Sequence, residues 1–490
     1  MVTVSAKAVV ADSDSPAASA TPASIFNSMN SSQSFGFPSA GCGCPAQAYV
    51  PCGVTEPGAA VPHLGDGEAG PGRLHLPCSD RGGRRMAAPA QKSDLLEPPA
   101  MTLDPYAMAV LEDPLPFYRA LLEAGPVVWF EKYGVYGVGR YDELRQVVTD
   151  HSRFTASSGV GITDARKPEF RGRPPSALVE VDPPQHTDTR RVANRIMSPL
   201  VIRKWRSLFE EKAKLAVDAI LDKGTFDGVR DLVEAVVFGG FPVAMGIRFD
   251  ADAIRAIGYM SFNQTGPENE LYFKGMKAGE PYLDWFMAAC QRDAVAPGSI
   301  ADAFFQAEEA GELLPGIASN ITRSLVRGGM DTTISGMSAA LLLLASHPDQ
   351  WAVLKQNPGR ARFVFDEAIR LQAPNHLVYR CTTGDTELSG RFLRGDTKVA
   401  TFPTAANRDP RKWERPDDFD VMRDTANVHM SFGAADHNCI GQNVARMEAE
   451  CMLVELVRRV GTIEPAGEPQ YLIHNQLRIL ERLPLSVTPA

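Results

Sequence analysis

The sequence predicts a mainly α-helical domain with a small β region, preceded by about a hundred residues that do not order themselves. Three observations carry this expectation. Beyond residue 104 apolar side chains recur mostly at helical spacing; strand-like stretches are few and short; residues 1–100 are rich in Ala, Ser, Pro and Gly without sustained periodicity.

The chain has 490 residues, 44% of them apolar, which is ample for one large core even though length alone suggests about three domains of ~150 residues. A net charge of −9 with 22% charged residues argues against a nucleic-acid-binding protein. No apolar run approaches the ~18–20 residues of a membrane span; the longest candidate, Ala339 to Ala345, is far shorter. The N-terminus also lacks a basic start with an apolar middle, so a cytoplasmic monomer is expected, with no membrane. Cys42, Cys44, Cys52 and Cys78 lack paired zinc spacing and read as unpaired cysteines of the leader. Met86 is the candidate true start; a transit peptide is the second reading, opposed by Asp12, Asp14, Glu56, Asp66 and Glu68.

Order is expected from Asp104-Pro105, with helical spacing through Phe117, Leu121 and Leu122. Val127 to Phe130 and Val135 to Val138 carry β-branched and aromatic residues around a Glu131-Lys-Tyr-Gly134 turn, hence a strand pair. A short helix spans Leu144 to Val148, and Ser157 to Pro175 form a long loop of the kind that often carries function. At Asp182-Pro-Pro-Gln-His186 prolines open a helix with His186 and Arg190 on one face, a binding pair or a solvated basic face. From Arg190 to Arg206 basic residues follow without an acid, a local positive patch. Helices are expected over 206–223, 229–245 and 282–292, with Phe262, before Asn-Gln-Thr-Gly-Pro, at a break that faces substrate or belongs to the core.

From Pro315 to His347 the pattern supports one helix of about thirty residues. It contains Arg327-Gly-Gly-Met-Asp331-Thr332-Thr333. Two interior glycines cost roughly 1 kcal/mol each against alanine, so the functional reading is a local opening for a small molecule. Glu367 and Arg370 stand three apart on a helix from Arg360, which alone describes an ordinary ion pair. Thr382 to Phe402 is strand-like, and Leu472 to Pro489 closes as a hairpin with Asn475 to Leu477 near substrate.

One stretch organises the rest. In Ser431-Phe-Gly-Ala-Ala-Asp-His-Asn-Cys439-Ile-Gly441 a cysteine sits in a glycine-bounded turn before Ile440, Val444, Met447, Cys451 and Val454, an apolar helical stripe. A helix N-terminus favours thiolate and suits a metal ligand; a small buried apolar residue is the bland reading.

Phe432-Gly433, His437, Cys439, Gly441 and Ala445-Arg446 resemble the heme-binding signature of the cytochrome P-450 superfamily, with Ala435 where that family has glycine. The resemblance spans residues 104–490 and implies a triangular, mostly helical fold with heme b between a long distal helix and the cysteine helix. It implies Cys439 as iron ligand, Phe432, His437 and Gly441 around the cofactor, and His186, Arg190 and Arg380 on its propionates. Asp331 and Thr332 match the oxygen-activation motif, where an alcohol and a carboxylate manage proton delivery. Glu367 and Arg370 match a buried structural pair whose third partner is Arg423 or Arg415. The implied activity is monooxygenation of a small organic substrate with O₂, by hydroxylation or O-demethylation. A separate ferredoxin with an NAD(P)H-dependent reductase is expected to supply electrons, docking on the Arg190 to Arg206 patch. Gly125-Pro-Val-Val, Tyr136-Gly-Val-Gly and Ser158-Gly-Val-Gly-Ile are most similar to bacterial members acting on para-substituted benzoic acids. Ser158, Phe262, Arg327 and Val378 are the expected substrate residues, Arg327 either as anion holder or as an exposed helical arginine. A peroxide-driven enzyme and a non-enzymatic heme sensor are the other readings.

Overall fold

The computed structural model describes residues 95–490 apart from Glu169 and Arg171. The four leader cysteines, Met86 and most of the expected leader lie outside the described residues. Pairing is already present before Asp104, since Leu96 bridges to Arg391 and Ala100 to Trp129.

The β-branched and aromatic runs form the main sheet. Its strands are β1 (Val128–Phe130), β2 (Val135–Val138), β3 (Phe154–Thr155), β4 (Val378–Thr382) and β5 (Lys398–Thr401), in spatial order β1-β2-β5-β4-β3. β1 and β2 are the expected antiparallel pair, with Trp129 opposite Tyr136, and β2 runs parallel to β5. Every residue of β2 and β5 is buried, so the sheet is covered on both faces. The C-terminal segment forms the expected hairpin, Gln470–Ile473 against Arg478–Arg482, while Pro484–Pro489 leaves it to pair with Val460–Pro465.

The helices that frame the site are α1 (Gln185–Ile196), α2 (Glu234–Met245), α3 (Ala251–Asn263), α4 (Ile317–Gly329), α5 (Asp331–Ser346), α6 (Ala361–Leu371) and α7 (Gln442–Arg459). α5 is buried nearly all round, and α6 packs between it and α7. α3 and the helices Glu270–Gly279 and Ile300–Glu309 were not expected from periodicity, and Phe262 lies in the last turn of α3 rather than in a loop.

The expected thirty-residue helix is two helices, α4 and α5, interrupted at Met330, whose φ and ψ are −92° and −63°. The Thr332 hydroxyl donates to the Gly328 carbonyl at 2.5 Å, taking the acceptor that the Thr332 amide would use in a continuous helix. Gly329 makes room for the Phe241 ring, which a Cβ there would approach to 2.5 Å, whereas a Cβ on Gly328 would meet nothing within 4 Å. α7 begins at Gln442, three residues beyond Cys439. Its buried stripe also departs from expectation: Val454 is 45% exposed, whereas Glu448 is fully buried. Glu448 stands one turn beyond Val444, on the face that meets the cavity.

The Glu367–Arg370 pair is completely buried, with Arg370 Nε and Nη2 donating to the two Glu367 oxygens at 2.8 Å each. Arg423 is the third partner, its Nε 3.2 Å from Glu367 Oε1, while Arg415 pairs with Asp418 and Asp420 instead. Arg370 also donates to the carbonyls of Asn407, Pro416 and Asp418. Asn407 then donates to Ser431 Oγ and accepts from the Met430 amide, so the pair is wired to the cysteine segment.

Candidate active site

A cavity of about 340 Å³ lies between α4–α5 and the cysteine segment. Its floor is a tight turn. Gly433 takes φ +69°, the Cys439 amide donates to the Phe432 carbonyl at 2.8 Å, and Phe432, His437, Cys439 and Gly441 all line the cavity. Ala435 adopts φ +50°, a left-handed conformation that costs an L-residue its usual freedom from steric strain. The thiol does not follow the expected lowering: burial pushes its pKa up, against the Gly441 and Gln442 amides and the Arg190 and Arg446 charges that pull it down. Because Cys439 precedes the helix by a turn, the helix end lowers it less than placement at the first residue would.

Beside the floor stand the basic side chains. The rings of His186 and His437 are 4.2 Å apart, and all four of their nitrogens are buried without a hydrogen-bond partner among the described residues. Buried Arg380 donates to the Tyr379 carbonyl, and Arg190 reaches the Asn438 carbonyl; neither has an ion-pair partner among the described residues. Burial, with Arg380 and His186 next, pushes His437 down to about 3, and burial pushes Arg380 down to about 10. Two basic groups and two orphaned imidazoles in one place call for an anionic ligand with carboxylates.

At the helix break Gly328, Gly329, Thr332 and Thr333 line the cavity. Asp331 does not. Its carboxyl is turned toward α3, so close to Gly258 that a Cβ there would lie 1.7 Å from Oδ2. Burial, reinforced by Glu234, pushes Asp331 up to about 7, while Arg255 opposes. Glu234 is itself held by Arg255 at 2.7 Å and Arg230 at 3.1 Å. Thr332 is therefore at the cavity and Asp331 is behind it.

The roof is a further polar stretch of a mostly apolar chamber. Arg173, Ser176, Ser324 and Arg327 line it. The Arg173–Glu180 pair closes at 2.6 and 3.1 Å, and the Ser324 and Ser176 hydroxyls are 2.9 Å apart. Arg327 has no hydrogen-bond or ion-pair partner among the described residues and only the Phe286 ring, 6.0 Å away. It is no exposed helical arginine: burial pushes it down to about 9, so the charge persists at neutral pH. Phe262 and Val378 also line the cavity, but Ser158 does not: fully buried, its hydroxyl accepts from Lys398 at 3.1 Å. The loop passes Val160, two residues on, to the cavity instead, the Ser158 side chain being drawn to the buried amine.

Sequence reasoning missed Arg173, Ser176, Ser324 and Glu448. Ser324 stands one turn from Gly328 on one helix face and could have been found by spacing; Arg173 and Ser176 come from a loop with no periodicity. Glu448 lines the cavity with neither carboxyl oxygen partnered among the described residues, and burial holds it far above the usual range.

Comparison with known proteins decides the family. Residues 291–476 match the family model Cytochrome P450. The chain is 40% identical over 394 residues to cytochrome p450 CYP199A2 of Rhodopseudomonas palustris, covering 80% of this chain and 95% of that relative. The chain belongs to the cytochrome P450 family. It is 27% identical to the beta-dihydromenaquinone-9 omega-hydroxylase of Mycobacterium tuberculosis, over 79% of this chain and 78% of that protein. Among solved structures, the fold matches P450 CYP109Q5 from Chondromyces apiculatus at 25% identity and TM-score 0.65, over 78% and 97% of the two chains. Epothilone D-bound P450epoK matches at 23% identity and TM-score 0.69, over 80% and 100%.

The protein is thus a heme-thiolate monooxygenase that uses O₂ on a small molecule, and its cofactor is heme b. The P450 site fits that group: a sulfur at the floor, unpartnered imidazoles beside two arginines that lack a counter-ion among the described residues and suit carboxylates, and a mostly apolar chamber. When bound, the heme supplies dioxygen activation, with the thiolate favouring O–O cleavage. No helix among the described residues is long and apolar enough to cross a membrane.

Proposed function

We propose that this P450 hydroxylates or O-demethylates a para-substituted aromatic carboxylic acid whose carboxylate is held by Arg327. The observation that carries the reading is the unpartnered guanidinium at the roof of an apolar cavity. A half-buried cation with no ion-pair partner among the described residues is costly, and an anionic ligand relieves that cost. The Ser324 and Ser176 hydroxyls beside it add neutral donors. Phe262 and Val378 pack the ring, and the reacting carbon is presented toward Thr332 and Cys439. Cys439 is assigned as the iron ligand, within the turn that Phe432 and Gly441 shape, and His186, Arg190, Arg380 and His437 as the propionate holders. Thr332 is the hydroxyl that orders the oxygen side, and Asp331 passes protons to it after turning inward from Gly258.

Residues 101–490 form the monooxygenase domain and the preceding hundred a leader. Electrons come from a ferredoxin and its NAD(P)H-dependent reductase in the cytoplasm. Docking uses the Arg190 to Arg206 surface, where exposed Arg203 and Lys204 remain the freest charges; Arg191, Arg195 and Arg206 already face Asp188, Glu312 and Glu450. The test is the heme spin-state shift on titration with 4-methoxybenzoate. A saturable shift is expected, weakened about 30-fold or more in Arg327→Met, as for a desolvated charge pair. No shift in the wild type, or equal affinity in the variant, refutes the reading.

A further inference from the structure

Lys398, in β5, is the one buried lysine of the described residues, at 7% exposure. Its amine donates to the Ser158 carbonyl at 2.8 Å, the Ser158 hydroxyl at 3.1 Å and the Gly159 carbonyl at 2.9 Å. All three protons are thereby spent on two consecutive residues of the loop that delivers Val160 to the cavity. Gly159 takes φ +84°, which turns its carbonyl toward the amine while the Val160 amide donates to Glu180 Oε1 at 3.0 Å. Glu180 is the partner of Arg173 at the roof. The Val160 carbonyl accepts from the Tyr379 amide at 3.1 Å, and the Ile162 amide reaches the Thr265 carbonyl at 2.9 Å. One amine therefore organises a path running from the sheet through the loop to the cavity wall.

The other ionisable groups around Lys398 do not share this work. Asp164 from the loop is paired with Arg166 at 2.6 Å; Asp396, on the turn before β5, faces Arg166 and Lys167; Glu180 is taken by Arg173. On β4, Cys381 accepts from Arg166 and is pushed up by burial, and burial pushes Tyr379 up as well. These acids are committed to other cations and the thiol and phenol are neutral, so around neutral pH the amine is the group whose charge is free to change.

We propose that Lys398 is the positioning residue of the substrate loop: its ammonium, bound to neutral oxygens only, holds Ser158 and Gly159 so that Val160 and, through Glu180, Arg173 take their places on the cavity wall. A charged ammonium bound only to dipoles is an adjustable fastening. Burial pushes it down to about 8, and loss of its proton removes one donor and the charge assistance from the rest.

The loop itself provides the first readout, because cleavage by trypsin after Arg166 requires the loop to lift. With the heme-loaded protein, and rates normalised to a reporter peptide in the same tube, Lys398→Met is expected to be cut about tenfold faster than wild type at pH 6.5, the scale of one charge-assisted hydrogen bond. Wild-type cleavage is expected to rise between pH 7 and 9 toward the variant's rate, while the variant stays flat. Lys398→Arg, which keeps the charge, is expected to retain slow cleavage at pH 9. The wild-type pH profile stands even if a variant folds poorly. A flat wild-type profile, or equal cleavage of wild type and Lys398→Met, overturns the proposal. A second arm titrates 4-methoxybenzoate across the same range and rests on the substrate reading above. Its affinity is expected to fall through pH 8 in wild type, whereas in Lys398→Met it falls only toward pH 9, where Arg327 itself loses charge. No shift at any pH refutes the substrate reading and leaves the proteolysis to decide the role of Lys398.

Discussion

Replacing Ala435 with glycine is expected to stabilise the protein, and the size of the gain follows from the geometry of the cysteine turn. Ala435 sits at φ +50° and is exposed, so its methyl group is strained by the backbone and packs against little. The left-handed conformation costs an L-residue roughly 1–2 kcal/mol. Glycine gives back about 0.4–1 kcal/mol through the greater freedom of its unfolded chain. The expected net gain is about 0.5–1 kcal/mol. The reverse change two residues earlier supplies the control. Gly433 holds φ +69°, and a Cβ there would meet the His437 carbonyl oxygen at 3.3 Å, so Gly433→Ala is expected to cost about 1 kcal/mol or more. The assay is the urea midpoint of the heme-loaded protein, with the reduced-CO difference spectrum verifying that the thiolate remains on iron. Destabilisation by Ala435→Gly of about 0.5 kcal/mol or more would refute the strain argument and show that the methyl group is a needed brace.

Three further outcomes follow from the same geometry. Arg370→Ala leaves buried Glu367 with Arg423 as its remaining cation and strips three carbonyls of their donor, so a loss of about 3 kcal/mol with poor heme retention is expected, read by urea unfolding and the heme absorbance ratio. Asp331, raised from 3.8 to about 7 by burial and Glu234, keeps a proton in the folded state that the unfolded chain has lost. Stability from this group is therefore full below pH 4, falls as pH rises to 7 and is flat above, so Asp331→Asn should gain on wild type by on the order of 2 kcal/mol between pH 4.5 and 8. An unchanged difference between the two would contradict the buried carboxyl. At the helix break, Gly329→Ala places a Cβ 2.5 Å from the Phe241 ring and is expected to lose about 1–3 kcal/mol, whereas Gly328→Ala meets nothing within 4 Å and should fold at least as well as wild type while narrowing the cavity.

The chemistry-bearing residues were legible because their signals are local. Cys439 announces itself by glycines at fixed offsets, and the Gly328–Thr333 run by a helix penalty with no packing reward. The strand pair at Val128 and Val135 was readable from its β-branched and aromatic runs, and the β1–β2 register follows them. Periodicity failed where burial depends on a partner far along the chain. Val454 and Glu448 exchange their expected environments because α7 turns its Val444–Glu448 face to the cavity, and no spacing rule says which face will meet a void. Ser158 was misplaced for a similar reason, its hydroxyl being claimed by Lys398, 240 residues later.

By itself, then, the sequence determined a glycine-bounded cysteine turn and a weak point at Gly328–Gly329 within a long helix, since each depends on residues within a few positions of one another, whereas the burial of the Glu367–Arg370 pair was implied by the family resemblance alone. Only the tertiary structure decided which side chains share the cavity. Arg327 stands at its roof without an ion-pair partner among the described residues, Asp331 turns away toward Gly258, and His186 lies tilted against His437 across 251 positions of chain. The physical reason is that charge compensation and orientation are properties of the packed assembly: a guanidinium or carboxyl is free or satisfied according to what distant elements bring beside it.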